Sequence, residues 1–147
     1  MTNTSTIEGA DDNGAEASDV RNDNAGRDRR SSCPISSTLD IMGDKWSLLI
    51  VRDIILGKSR FNEFLASPEK VTTNILAERL KRLERHGVIS RTPYQQNPVR
   101  YAYQLTDKGR ALAPILRAVI GWANAWEPET FEPPEQWLAK LDAAEGK

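Results

Sequence analysis

The sequence predicts an α+β fold, mostly α, and three observations predict it. Apolar residues recur at helical spacing in successive segments from residue 35 onward. One stretch alternates instead, with Val99, Tyr101, Tyr103 and Leu105 set against Arg100, Ala102 and Gln104. The turn-formers Gln95, Gln96, Asn97 and Pro98 join that stretch to a strand-like segment over 88–93, so the β structure is a single hairpin.

The chain has 147 residues, room for one domain and tails, and 39% apolar residues with four Trp can pack a core. The net charge of −1 is unevenly divided. Residues 1–32 carry four basic and seven acidic side chains, residues 33–126 fourteen and eight, residues 127–147 two and six. A basic middle between acidic ends suits a domain that meets a polyanion while its tails do not. One cysteine excludes an intrachain disulfide, and Cys33 with His86 is too few for a Cys/His zinc site. No GxSxG, Walker-type loop or HExxH is present, so an enzyme has no motif to rest on and no cofactor is expected. No signal-peptide-like or membrane-crossing apolar run occurs, which points to the cytoplasm and away from the membrane.

Residues 1–32 are rich in Asp, Asn, Ser, Thr, Gly and Ala and are expected to be disordered, since they bury too little apolar surface to offset ordering entropy. The basic cluster RDRR at 27–30 is either a DNA-contacting arm or part of a solvated tail. Ile35, Leu39 and Met42 share a helical face, and Gly43 stops that helix. Asp44 can cap a second helix over 45–56, where Trp46, Leu49, Ile50 and Ile54 form a core stripe widened by Val51 and Ile55. Gly57 turns the chain, and Ser59 can cap a short helix over 60–66 carrying Phe61, Phe64 and Leu65. Pro68 holds the next residues in a loop.

Thr72 then caps the most informative helix. Leu76, Leu80 and Leu83 form its apolar back, Asn74, Lys81, Arg82 and Arg85 its polar front, and Gly87 its end. A short helix, a tight connection and a longer basic helix make a helix-turn-helix. Such a helix has the shape needed to enter a DNA major groove, although the pattern also fits a solvated surface helix. With the hairpin directly after it, the arrangement is a winged helix, and Gln95, Gln96, Asn97 and Arg100 are placed at the wing tip to meet the minor groove or phosphates. Thr106 caps a long helix over 107–126. Pro114 predicts a kink there, or a late start to regular helix. Its apolar positions cover two faces, one for its own core and one for a partner chain. Residues 127–133 form an acidic linker, and 134–144 a short helix that docks through Trp137, Leu138 and Leu141.

The text over 33–126 resembles the HxlR family of bacterial winged-helix transcriptional regulators, relatives of the MarR-like dimers. The resemblance rests on CPI at 33–35, LDIMGDKWSLLIVRDIILGKSRFNEF at 39–64, TTNILAERLKRLERHGVISR at 72–91, YAYQLTDKGRAL at 101–112, and Trp122. It implies a homodimer built from the N- and C-terminal helices of each chain. The two recognition helices would then meet successive major grooves of an inverted-repeat operator in double-stranded DNA, often as a repressor. It also implies an electrophile or oxidant sensor at Cys33, where several family members carry a reactive cysteine; residues 1–32 lie outside it. A thiol near a helix N-terminus can have a lowered pKa, and Arg29 and Arg30 stand close by.

The expected DNA contacts are Thr72, Thr73 and Asn74 at the recognition-helix start, and Lys81 and Arg82 further along. Lys58 and Arg60 are expected as phosphate clamps, and Gln95, Gln96 and Arg100 as wing contacts. Arg79 falls near the apolar boundary and is either a brace or a DNA contact. His86, beside Gly87, reads as a helix-capping residue. Two other readings stand: a dimeric interaction module without DNA binding, and a regulator switched by a small-molecule inducer in a Trp-lined pocket at the dimer interface.

Overall fold

The computed structural model describes residues 29–146. The tail expected over 1–32 therefore lies, up to residue 28, outside the described residues. The elements run α1 (Pro34–Met42), α2 (Ser47–Ile55), α3 (Phe61–Leu65), α4 (Thr73–Arg85), β1 (Ile89–Gln95), β2 (Arg100–Leu105), α5 (Asp107–Arg110), α6 (Ala113–Trp126) and α7 (Glu135–Glu145). No described helix is long and apolar enough to cross a membrane.

The expected helix-turn-helix and hairpin are both present. β1 and β2 pair antiparallel from Ile89↔Leu105 to Gln95↔Arg100, with the register slipping between Pro93 and Gln95. The core sits under α4. Ile50 and Val51 of α2, Phe64 of α3, Leu76, Leu80 and Leu83 of α4, and Val88, Ile89, Leu112, Ala113 and Leu116 beyond it are buried in one cluster. Burying each large apolar side chain stabilises the fold by roughly 1.5–3 kcal/mol, so the three leucines of α4 fix which face that helix turns inward.

Two local expectations change. The long helix over 107–126 is two helices, because Pro114 takes the first turn of α6, where its missing N–H costs nothing. Thr106 caps only α5, accepting from Gly109 N–H at 3.1 Å. Gly109 is required there, since a Cβ would collide with the Val88 carbonyl oxygen. Ser59 does not cap α3 with its side chain. Glu63 reaches back to accept from the Ser59 and Arg60 N–H groups at 2.8 and 3.0 Å, and those bonds hold its carboxyl below the usual range. Ser59 and Arg60 meanwhile pair with β2, Tyr103 N–H donating to Ser59 O at 2.8 Å, which ties the hairpin to the start of α3.

α7 docks on α6 and α2 through buried Leu141 and half-buried Trp137 and Leu138. Arg117 Nη2 donates to Leu138 O at 3.1 Å, and Phe131 meets Trp137 edge to face at 5.3 Å.

Candidate nucleic-acid interface

α4 is held from three directions. Its leucines enter the core, Thr72 Oγ1 accepts from Ile75 N–H at 3.4 Å, and two arginines tie one flank to the α1–α2 junction. Arg79 Nε donates to Asp44 Oδ2 at 2.8 Å, and Arg82 Nη2 donates to the Asp40 carbonyl at 2.9 Å. Asp44 is not the N-cap of α2, which is Trp46, but from two residues before it the carboxylate accepts from Trp46 N–H, Ser47 N–H and the Ser47 hydroxyl at 2.9, 3.0 and 2.6 Å. Burial alone would push its carboxyl up. The Ser47 hydroxyl, the Trp46 N–H and the Arg79 guanidinium outweigh burial and lower it to about 2.

The free face of α4 points directly away from the leucines. Successive residues turn about 100° around the axis, so Asn74, Glu78, Lys81 and Arg85 fall on one outward stripe. All four are exposed, as are Thr72 and Thr73 at the N-terminal end. Asn74 carries the amide that can pair with adenine in bidentate fashion, and Lys81 and Arg85 carry charges suited to phosphates. Glu78 and Arg85 were not among the expected contacts; their spacing of four and eleven residues from Asn74 is the signal that places them with it.

The wing stands beside this face. Arg60 lies over the Tyr94 ring at 3.9 Å and Arg91 over Tyr101 at 4.0 Å, while Arg91 also pairs with Glu84 of α4 at 3.3 Å. A stacked guanidinium keeps its in-plane N–H groups available for phosphate. Gln95, Gln96 and Arg100 are exposed at the tip, where Gln95 Nε2 donates to Pro98 O at 3.2 Å. Asn97 adopts the left-handed turn conformation at φ 54° that Asn tolerates.

Lys58, expected at phosphates, has an internal partner: its Nζ donates to Ser67 Oγ at 2.8 Å. Ser67 in turn donates to Asp53 Oδ2 at 2.5 Å, and both Ser67 and Asp53 are buried, at 6% and 4% exposure. Arg52 pairs with Asp53 and makes a two-pronged bond to Glu69 at 2.8 and 2.9 Å, which lowers the Glu69 carboxyl. This network pins the loop before α4 to the end of α2. Of the expected contacts, the structure thus brings Thr72, Thr73, Asn74 and Lys81 together on the open face. It sets Arg60, Gln95, Gln96 and Arg100 on or beside the wing, and gives Lys58, Arg79 and Arg82 protein partners.

Cys33 is the N-cap residue of α1 and is exposed. Its N–H donates to Ser31 Oγ at 3.2 Å. Arg30, expected near the thiol, pairs instead with Asp40 at 2.7 Å. His86 is the C-cap of α4, and Gly87 takes φ 76° after it. An apolar cleft of about 170 Å³ lies within one chain between α2, α6 and α7, and Trp137 is its only tryptophan. Among the described residues no cluster of His, Cys, Asp and Glu is placed to hold a metal ion.

The arrangement has known counterparts. A family model described as HxlR-like helix-turn-helix matches residues 41–131. The HTH-type transcriptional regulator YvaP of Bacillus subtilis (strain 168) is 42% identical over 100 residues, spanning 67% of this chain and 93% of its own. Among solved structures, the redox regulator HypR in its reduced form is similar at 36% identity and a TM-score of 0.58, over 63% of this chain and 92% of that one. The reduced form of the transcriptional regulator YodB from B. subtilis follows at 32% identity and 0.57, over 68% and 100%.

Proposed function

The chain belongs to the HxlR-like helix-turn-helix family, and from that premise we propose that it is a cytoplasmic transcriptional regulator that binds double-stranded DNA as a homodimer. The observation that carries this reading is the outward stripe of α4. A helix held by its leucine back and by the arginines of one flank leaves an exposed face bearing an amide, a carboxylate and two cations, with the exposed Arg60 and Arg100 before and in the wing. Thr72, Thr73 and Asn74 would meet base edges and the first phosphates, Lys81 and Arg85 the backbone, and Gln95, Gln96 and Arg100 the neighbouring groove. Lys58, Arg79 and Arg82 act as braces. Two such helices in a two-fold dimer match an inverted repeat with half-sites about 34 Å apart, and a repressor that blocks promoter access is the simplest outcome.

Thiol control belongs to the same proposal. Cys33 is exposed at the N-cap of α1, and HypR, a relative in fold and sequence, is a redox regulator. With one cysteine per chain, oxidation would join the Cys33 thiols of two protomers, two hydrogens passing to the oxidant. Either that bond or alkylation would shift α1 and release DNA. A second reading, a small-molecule inducer, is favoured by the apolar cleft under α7. Its size suits a single ring, since an apolar cavity of about 150 Å³ takes benzene.

The test is fluorescence anisotropy of the reduced protein with its own upstream intergenic DNA at two salt concentrations, repeated after diamide and with Cys33→Ser. Salt-dependent binding that diamide abolishes only when Cys33 is present supports the whole proposal. Binding indifferent to diamide keeps the regulator and discards the switch. Absence of specific binding in every state favours an interaction module that does not use DNA.

A further inference from the structure

The outward face of α4 has a carboxylate at its centre. The direction opposite Leu76, Leu80 and Leu83 falls between Arg85 and Glu78 at about 100° per residue, and the Glu78 side chain is 54% exposed. A carboxylate on a surface that meets a polyanion is repelled by phosphates and cannot accept a bond from them. It becomes favourable only opposite a hydrogen-bond donor. The major groove offers such donors on base edges, and the cytosine N4 amino group is the one that Glu and Asp accept from.

Glu78 is also held in place. Arg79 is fixed by its Nε to Asp44 Oδ2 at 2.8 Å, and its Nη1 donates to Glu78 Oε1, which leaves the second carboxylate oxygen to accept. Asp44 is itself fixed by the backbone and hydroxyl of the α2 start. An acceptor ordered before binding loses less side-chain entropy on contact with DNA than a free one. Lys81 and Arg85, three and seven residues further along the same face, supply the charge that keeps it attractive to DNA despite the carboxylate.

We propose that Glu78 is a specificity-determining residue that accepts a hydrogen bond from a cytosine N4 amino group in each operator half-site, with Asp44 and Arg79 as its positioning residues. The inference rests on the reading of α4 as the helix that enters the major groove.

The experiment selects binding sites from a randomised pool of double-stranded DNA with the wild type, Glu78→Ala and Glu78→Gln, and measures each protein against a random-sequence duplex by anisotropy. The wild type is expected to enrich an inverted repeat with a fixed cytosine in each half-site. Glu78→Ala should lose discrimination at that position by roughly tenfold and keep the remaining positions. Glu78→Gln should move the preference there to adenine, which a carboxamide can pair with in bidentate fashion. A wild-type motif without the cytosine, or an unchanged motif in Glu78→Ala accompanied by tighter binding to every duplex, overturns the proposal and leaves the regulator standing. A wild type that enriches no motif overturns both.

Discussion

Arg79 and Asp44 lie 35 residues apart in the chain and meet at 2.8 Å, joining the middle of α4 to the start of α2. One carboxylate thereby holds the start of one helix and sets the orientation of another. Asp44→Ala removes both functions and leaves the half-buried Arg79 without that partner. Urea unfolding at pH 7 should show a loss of about 1–3 kcal/mol. The effect should fade in acid. The Asp44 carboxyl is held at about 2 in the folded chain, against about 3.9 when unfolded. A depressed carboxylate contributes its stability above the unfolded value and loses it as pH falls through the folded one. The gap between wild type and Asp44→Ala should stay constant above pH 5 and narrow towards pH 2.

The Lys58–Ser67–Asp53 chain predicts a different signature. Ser67→Ala takes the 2.5 Å donor from buried Asp53 and the acceptor from Lys58. Arg52 still holds Asp53 Oδ1, but the buried Oδ2 loses its donor at a cost of about 1–3 kcal/mol, so thermal unfolding should shift down. Lys58→Ala should likewise reduce stability, while the salt dependence of DNA binding stays unchanged. A flatter salt slope for Lys58→Ala would mean that the ammonium leaves Ser67 and reaches phosphate in the complex.

Lys81 and Arg100 should behave in the opposite way. Both are exposed, on the open face of α4 and at the wing. Each alanine variant should keep the unfolding midpoint and reduce the slope of log K against log salt by about one. Arg82→Ala, one residue from Lys81, should instead lower stability, because its guanidinium bonds the Asp40 carbonyl. Anisotropy titrations at four or five salt concentrations, paired with thermal melts, separate the two classes.

What was readable in the sequence follows from where the information lies. α4 was legible because Leu76, Leu80 and Leu83 repeat at 3.6-residue spacing and Thr72 and Gly87 mark its ends; the hairpin was legible because its alternation is strict. The split between α5 and α6 was half legible. Pro114 allowed a late start, but the collision that obliges Gly109 to sit against Val88 involves a residue 21 positions away. The uses of Lys58, Arg79 and Arg82 were not legible at all. A basic residue on a helix flank has the same local pattern whether it faces phosphate or a carboxylate, and their partners lie 9, 35 and 42 residues off.

The remaining prediction concerns the second apolar face of α6. Ile115, Val119, Trp122 and Trp126 repeat at intervals of four, three and four and so lie on one stripe, 44–70% exposed, while Leu112, Ala113 and Leu116 face the core. On α1, Ile35 and Leu39 are also open, at 71% and 52%. Six large apolar side chains thus stand exposed on α1 and α6, the kind of surface that marks a protein–protein contact when it is contiguous. A second copy meeting the same surface by two-fold symmetry would cover both stripes at once. Trp122→Glu with Trp126→Glu places two charges at the centre of that contact without touching the core of the chain. Analytical ultracentrifugation should show a dimer for the wild type and a monomer for the double variant, with far-ultraviolet circular dichroism unchanged. Because a monomer reaches one half-site only, affinity for the inverted repeat should fall by several orders of magnitude, towards that for a single half-site. A double variant that remains dimeric would place the subunit contact elsewhere on the molecule.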